Sequence, residues 1–165
     1  MTKKNISKEE LAQFLLAWYL DLVKKKKEIV NEIGYKFSIF QPQKKIEFIN
    51  ELSMLYMFMV NRAIFDRFEN NSGLGQQIVN LFFKHIFNKL PPETINSFKQ
   101  KLQERTAQYD KVIGLEGGTM FASTFIGNVF GNPMSGMTFK AIPFQVKLLA
   151  TLSALNKDLR AFDVN

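Results

Sequence analysis

The run Met54-Leu55-Tyr56-Met57-Phe58-Met59-Val60 decides the fold of this chain. Seven consecutive apolar residues cover about two helical turns, so a helix here presents apolar side chains in every direction. A helix of this kind is buried on several sides. Pro42 supplies a favoured start for it, and the polar residues that follow Glu69 supply an end. The sequence therefore predicts a central helix over about 42–69.

The sequence on both sides of this run also has helical spacing. Apolar residues recur three, four and seven positions apart, and Gly, Pro or Asn residues separate the repeats. The spacing predicts a first helix from Ser7 to Gly34, and further helices over about 74–89, 92–113, 119–131 and 144–162. We therefore expect an all-α fold, an irregular bundle of five or six helices around the central one.

Both ends of the chain carry more specific predictions. Ser7 is followed by Glu10 three residues later, which is the spacing of a capping box at a helix start. We expect residues 1–6 to form a flexible tail and 7–165 a single all-helical domain. In the last helix, the residues expected to face the core are Val146, Leu149, Leu152, Leu155 and Leu159.

The composition excludes several classes of site. The chain has 165 residues with one His and no Cys, which rules out cysteine-ligated zinc, iron–sulfur clusters, disulfides and thiol catalysis. No nucleophile motif and no cluster of metal ligands is visible, so we expect no enzyme, no metal and no cofactor. No apolar leader follows the basic start, and the absence of Cys fits a reducing compartment, so we expect a cytoplasmic protein.

The single imidazole, His85, supports one alternative. His85 lies beside the apolar stripe of the third helix, and Pro91 and Pro92 soon begin another long helix. This arrangement resembles the proximal helix of a globin, where a lone His ligates haem. The second helix is longer than the globin pattern allows, so the resemblance is limited to this stretch. It implies haem ligation by His85, whereas a half-exposed histidine at a helix edge is the simpler interpretation.

Basic residues concentrate near the start of the chain. The 22 Lys and Arg against 15 Asp and Glu give a net charge of +7, of which +5 falls within residues 1–45. The longest basic run consists of Lys24, Lys25, Lys26 and Lys27. Such a run binds the phosphates of nucleic acid or of an anionic membrane surface. Because Glu28 follows directly, a solvated helix end is the favoured interpretation and an anionic contact the weaker one.

The segment from 117 to 139 is uncharged and rich in glycine. Its small residues at intervals of four are Thr119, Ser123, Gly127 and Gly131. On a helix this spacing forms a flat ridge, which we call the small-residue ridge. Glycine costs an internal helix position about 1 kcal/mol relative to alanine, and close packing of a second helix offsets that cost. We therefore expect a close helix contact here, either within the chain or between two copies.

These observations favour a soluble, non-catalytic helical binding protein that self-associates as a homodimer. The 17 Phe and 7 Met residues suit an adaptable apolar pocket, so one expectation is that the protein encloses an apolar small molecule. The same side chains also fill ordinary cores. Two alternatives stay open: a globin-like haem or sensor domain that uses His85, and a binder of nucleic acid or anionic membranes through Lys24–Lys27.

Overall fold

Helices make up most of the chain, and the all-α class predicted from the sequence is confirmed. The computed structural model describes residues 3–32, 42–113, 119–131 and 135–164. The helices in these ranges are α1 (Lys8–Lys24), α2 (Lys26–Glu32), α3 (Pro42–Arg67), α4 (Ser72–Phe87), α5 (Ile95–Ile113), α6 (Thr119–Phe130) and α7 (Ser135–Leu159). Two short strands are β1 (Lys4–Ile6) and β2 (Phe162–Val164). Short 3-10 turns at Glu69–Asn71 and Pro92–Thr94 precede α4 and α5.

Helix α3 is the centre of the bundle, as the sequence predicts. It packs against α1, α4, α5, α6 and α7. The seven side chains from Met54 to Val60 are each at most 2% exposed, so this helix is buried in all directions at its middle. An apolar surround of this kind follows directly from the unbroken apolar run.

The predicted first helix is two helices, and the prediction of one continuous helix is wrong at Lys25. The start is as expected: the Ser7 hydroxyl accepts from the Glu10 backbone N–H at 3.1 Å, and the Glu10 carboxylate accepts from the Ser7 N–H at 2.7 Å. At Lys25 the backbone N–H bonds the carbonyl of Leu22, three residues back, and the chain turns. This redirection brings Ile29 of α2 into the core at 1% exposure.

The flexible tail predicted for residues 1–6 is corrected over the part of it that the structure describes, residues 3–6. β1 pairs in parallel with β2, with Lys4 opposite Phe162 and Ile6 opposite Val164. The Arg67 guanidinium at the end of α3 donates to the carbonyl of Phe162 at 3.1 Å. The two ends of the described chain are therefore joined to each other and to the central helix.

The uncharged helix α6 is held at both ends by polar side chains from its neighbours. Near its start, the Ala122 backbone N–H donates to the buried Gln145 side chain of α7 at 2.7 Å. Near its end, the Lys44 ammonium of α3 donates to the Val129 carbonyl at 3.2 Å. Both contacts satisfy backbone groups that a helix leaves unpaired at its termini. The packed face of α6 consists of Phe121, Ala122, Phe125, Ile126 and Val129, each at most 2% exposed.

Helix α7 is longer and rotated relative to the prediction. It begins at Ser135, well before the predicted 144, and contains Pro143. Leu155 and Leu159 are buried as expected, but Val146 and Leu149 are exposed, and that part of the prediction is wrong. Phe144 and Leu148 fill the core in their place, because the buried side of α7 faces α3 and α6 through these positions.

None of the helices described is both long enough and apolar enough to span a bilayer.

Candidate functional site: a groove between α4 and α5

A concave surface with aromatic walls lies between α4 and α5. Both helices pack against α3, and they leave between them two adjoining clefts of about 610 and 380 Å³. Phe83 of α4 and Leu102 and Gln103 of α5 line both clefts, so the two form one continuous surface. We call this surface the α4–α5 groove.

Aromatic rings form one wall of the α4–α5 groove and part of its floor. Phe83 and Phe87, one helical turn apart on α4, stack with ring centroids 5.7 Å apart and an interplanar angle of 15°. Phe87 also meets the edge of Phe98 on α5 at 6.4 Å. Phe65 of α3 lines the narrower cleft and is 39% exposed. Because neighbouring rings hold one another, this apolar surface is ordered before any ligand arrives.

Polar side chains line both clefts beside these rings, among them Asn80, Asn88, Gln76 and Thr106, and one polar atom has no partner. Asn61 lines the narrower cleft, but its side-chain oxygen Oδ1 is shielded from solvent and finds no hydrogen bond within the described part of the chain. An unpaired buried oxygen costs about 1–3 kcal/mol, and such groups are rare in folded proteins. At the wider cleft the Lys99 ammonium lies 5.0 Å from the ring centroid of Phe87. The groove thus combines aromatic walls with polar side chains, a cation at the wider cleft and a buried, unpaired acceptor on a residue of the narrower one.

The size of the groove suits a small molecule. Its volume falls within the range of about 300–1,000 Å³ typical of small-molecule pockets. Its described lining contains the carboxylate of Asp110 and the ammonium groups of Lys84 and Lys99, with no histidine among them. Over the described residues, no three His, Asp or Glu side chains come together as a metal site requires.

A buried polar cluster fixes the α5 wall of the groove to the rest of the bundle. Glu51 of α3 is 1% exposed and accepts from Arg105 at 2.8 Å, Tyr109 at 2.7 Å and Asn128 at 3.0 Å. We call these four residues the Glu51 cluster. It joins α3, α5 and α6. Burial, and then the charge of Glu51, raise the pKa of the Tyr109 hydroxyl well above its ordinary value, so this group is a donor at neutral pH.

Neither the α4–α5 groove nor the Glu51 cluster is evident from the sequence. One available signal is the pair Phe83 and Phe87, which lies off the inward stripe of α4 and gives that helix a second apolar side. Another is Glu51 itself, a single carboxylate next to the long apolar run of α3. Its partners come from two helices more than fifty residues away, and no local pattern connects them.

The residues singled out in the sequence lie elsewhere. His85 is half-buried on α4, one residue before the buried Ile86, and lines neither cleft of the groove. In the basic run, Lys24, Lys25 and Lys27 are exposed and Lys26 is half-buried. Lys25 pairs with Asp21 at 2.8 Å, and this hydrogen bond raises the pKa of its ammonium group. Haem ligation by His85 and anionic contact by the basic run stay predictions.

The small-residue ridge is shorter than predicted. Gly131 lies beyond the end of α6 with a φ of 82°, and its N–H bonds the Gly127 carbonyl at 3.0 Å. The left-handed backbone conformation at the end of a helix is sufficient reason for a glycine at this position. The prediction of Gly131 as a helical ridge position is therefore wrong, because Gly131 ends the helix. Ser123 and Gly127 are half-buried, and the Thr119 side chain lies outside the described residues. Close helix packing at these three positions stays a prediction.

No family model matches the chain, and no curated protein and no solved structure is significantly similar to it.

Proposed function

We propose that this chain is a non-catalytic helical binding protein whose α4–α5 groove takes an elongated apolar ligand that carries a hydrogen-bond donor. The observation that supports this most is the buried, unpaired Oδ1 of Asn61 within a groove walled by aromatic rings. When the Asn61 side chain turns towards the cleft, a donor on the ligand would satisfy this oxygen, while the aromatic walls would bury the rest of the ligand. The globin-like and anionic alternatives rest on the sequence alone.

Energetics support an apolar ligand in this groove. Each square ångström of apolar surface removed from water contributes about 25 cal/mol, and Phe65 and its aromatic neighbours leave such surface open. The ring contacts hold the wall in place, so little ordering is required on binding. Pairing the Asn61 oxygen adds about 0.5–1.5 kcal/mol for a typical hydrogen bond.

The test uses a fluorescent probe and two variants of the same residue type on α5. N-phenyl-1-naphthylamine is neutral and apolar, and it has one N–H donor. Gln103 is exposed and lines both clefts, so Gln103→Trp places an indole in the groove without entering the core. Gln100 is equally exposed on the same helix and outside the described lining, so Gln100→Trp is the matched control.

We expect the parent protein and Gln100→Trp to bind the probe with equal affinity, and Gln103→Trp to bind at least about tenfold more weakly, a change of about 1.4 kcal/mol. Circular dichroism should show the same helix content in all three. Failure of the parent to enhance the fluorescence of the probe would contradict the proposal. So would undiminished binding by Gln103→Trp.

A further inference from the structure

Two lysines line the α4–α5 groove, and both lie at its wider cleft. Lys84 belongs to α4 and Lys99 to α5, so each wall contributes one cation to the same end of the groove. The described lining of this cleft contains no carboxylate, and neither lysine forms an ion pair with a residue that the structure describes. This end of the groove is therefore complementary to an anion.

The aromatic wall defines the position of one of these cations. The Lys99 ammonium lies 5.0 Å from the ring centroid of Phe87, and Phe87 stacks on Phe83. A cation over an aromatic face is attracted to the ring, so this ammonium is held beside apolar surface. An anionic group that pairs with Lys99 would thus lie where an apolar chain attached to it contacts Phe83 and Phe87.

The narrower cleft at the other end of the groove has the opposite character. Its described lining contains no lysine or arginine, but it contains Asp110 and Asn61, whose side-chain oxygens are hydrogen-bond acceptors. Lys99 and Asp110 are eleven residues apart on α5, which places them on one side of the helix about 16 Å apart along its axis. A ligand that spans both clefts therefore meets cations at one end and acceptors at the other.

We propose that the ligand of the α4–α5 groove is a free amphipathic anion whose charged group lies between Lys84 and Lys99. Its apolar chain follows Phe83 and Phe87, and its hydrogen-bond donor reaches the narrower cleft. This inference rests on the proposed function and adds the charge of the ligand and its orientation in the groove. The cleft volumes of about 610 and 380 Å³ match one small molecule, so the occupant is a single dissolved molecule and not a membrane surface.

Displacement of N-phenyl-1-naphthylamine by two competitors of equal chain length tests this proposal. The anionic competitor is ω-hydroxydodecanoate, and the neutral one is the dodecanediol with a hydroxyl at each end; both are used below the concentrations at which they form micelles. The variants are Lys84→Met and Lys99→Met, which remove the charge from an exposed position and keep an unbranched side chain. The matched control is Lys111→Met, because Lys111 is exposed on α5 and lies outside the described lining of both clefts.

We expect the parent and Lys111→Met to bind the hydroxy acid about fivefold more tightly than the diol, which is the effect of two partly exposed ion pairs. In Lys84→Met and in Lys99→Met this preference should fall to about twofold, with the affinity for the diol unchanged. Equal binding of both competitors by the parent would overturn this proposal and leave the proposed function in place. An undiminished preference in either groove variant, or an equal fall in Lys111→Met, would overturn it in the same way. If N-phenyl-1-naphthylamine does not bind the parent, the proposed function itself is contradicted, and this proposal with it.

Discussion

Glu51 shows how much one buried carboxylate contributes when its partners come from two other helices. Glu51→Gln keeps the shape of the side chain and one acceptor oxygen, but it removes the negative charge that faces the Arg105 guanidinium. It therefore leaves the charge of Arg105, whose side chain is 16% exposed, without its partner. Breaking such a pair costs about 3–5 kcal/mol, and we expect a loss of this size in urea unfolding. The control is Glu47→Gln, since the Glu47 side chain is 37% exposed and pairs with Lys44 at the surface of the same helix; its effect should be much smaller. Equal losses in both variants would contradict this assignment.

Tyr109 makes stability depend on alkaline pH. In the unfolded chain its hydroxyl ionises near pH 10, whereas burial and the facing Glu51 carboxylate keep its pKa higher in the folded protein, against the opposing effects of the Asn128 hydrogen bond and the Arg105 charge. Above that pH the unfolded state releases a proton that the folded state retains. The contribution of Tyr109 to the free energy of unfolding is therefore complete below pH 10. Above that pH, the free energy of unfolding falls by about 1.36 kcal/mol per pH unit because of this group. Tyr109→Phe should be less stable at neutral pH and lose this part of the slope. Urea titrations of both proteins between about pH 8 and pH 11 measure how the free energy of unfolding depends on pH. If that dependence were the same in the parent and in Tyr109→Phe, the role given to Tyr109 would be contradicted. Tyr19, whose pKa burial also raises, contributes equally to both proteins.

At the scale of elements, the sequence predicts helices well because their apolar spacing is local. The central helix and the Ser7 cap were both predicted correctly on that basis. The wrong predictions occur where contacts between residues far apart in the sequence determine the local structure. The break at Lys25 depends on Ile29 reaching the core, and β1 pairs with a strand at the other end of the chain.

The rotation of α7 has the same origin. Several of its sides are apolar, so its sequence permits more than one buried face. Contacts with α3 and α6 select Phe144 and Leu148, and leave Val146 and Leu149 exposed. Amphipathic spacing identifies a helix reliably, but it identifies the inward face only when the other faces are polar.

At the scale of the whole molecule, the candidate site follows from how helices sit around α3. The α4–α5 groove exists because both of its walls rest on the same central helix and diverge from each other. This arrangement is fixed by side chains far apart in sequence, among them the Glu51 cluster, which holds α5 against α3 and α6. The sequence therefore predicts an aromatic-rich binding protein but gives no location for its groove.

The central claim is that the unpaired oxygen of Asn61 accepts a hydrogen bond from the ligand. The variant Asn61→Leu tests this claim most directly. Asn61→Leu removes the oxygen at similar volume, and two quantities are measured: the free energy of unfolding and the affinity for N-phenyl-1-naphthylamine. Because an unsatisfied buried acceptor is lost, we expect the free protein to gain about 1 kcal/mol of stability. Affinity should fall about tenfold, equivalent to about 1.4 kcal/mol. The N-methyl analogue of the probe has no N–H, and its affinity should be unaffected by the substitution. Greater stability with unchanged affinity for the parent probe would contradict the claim, because Asn61 would then be a structural defect with no role in binding.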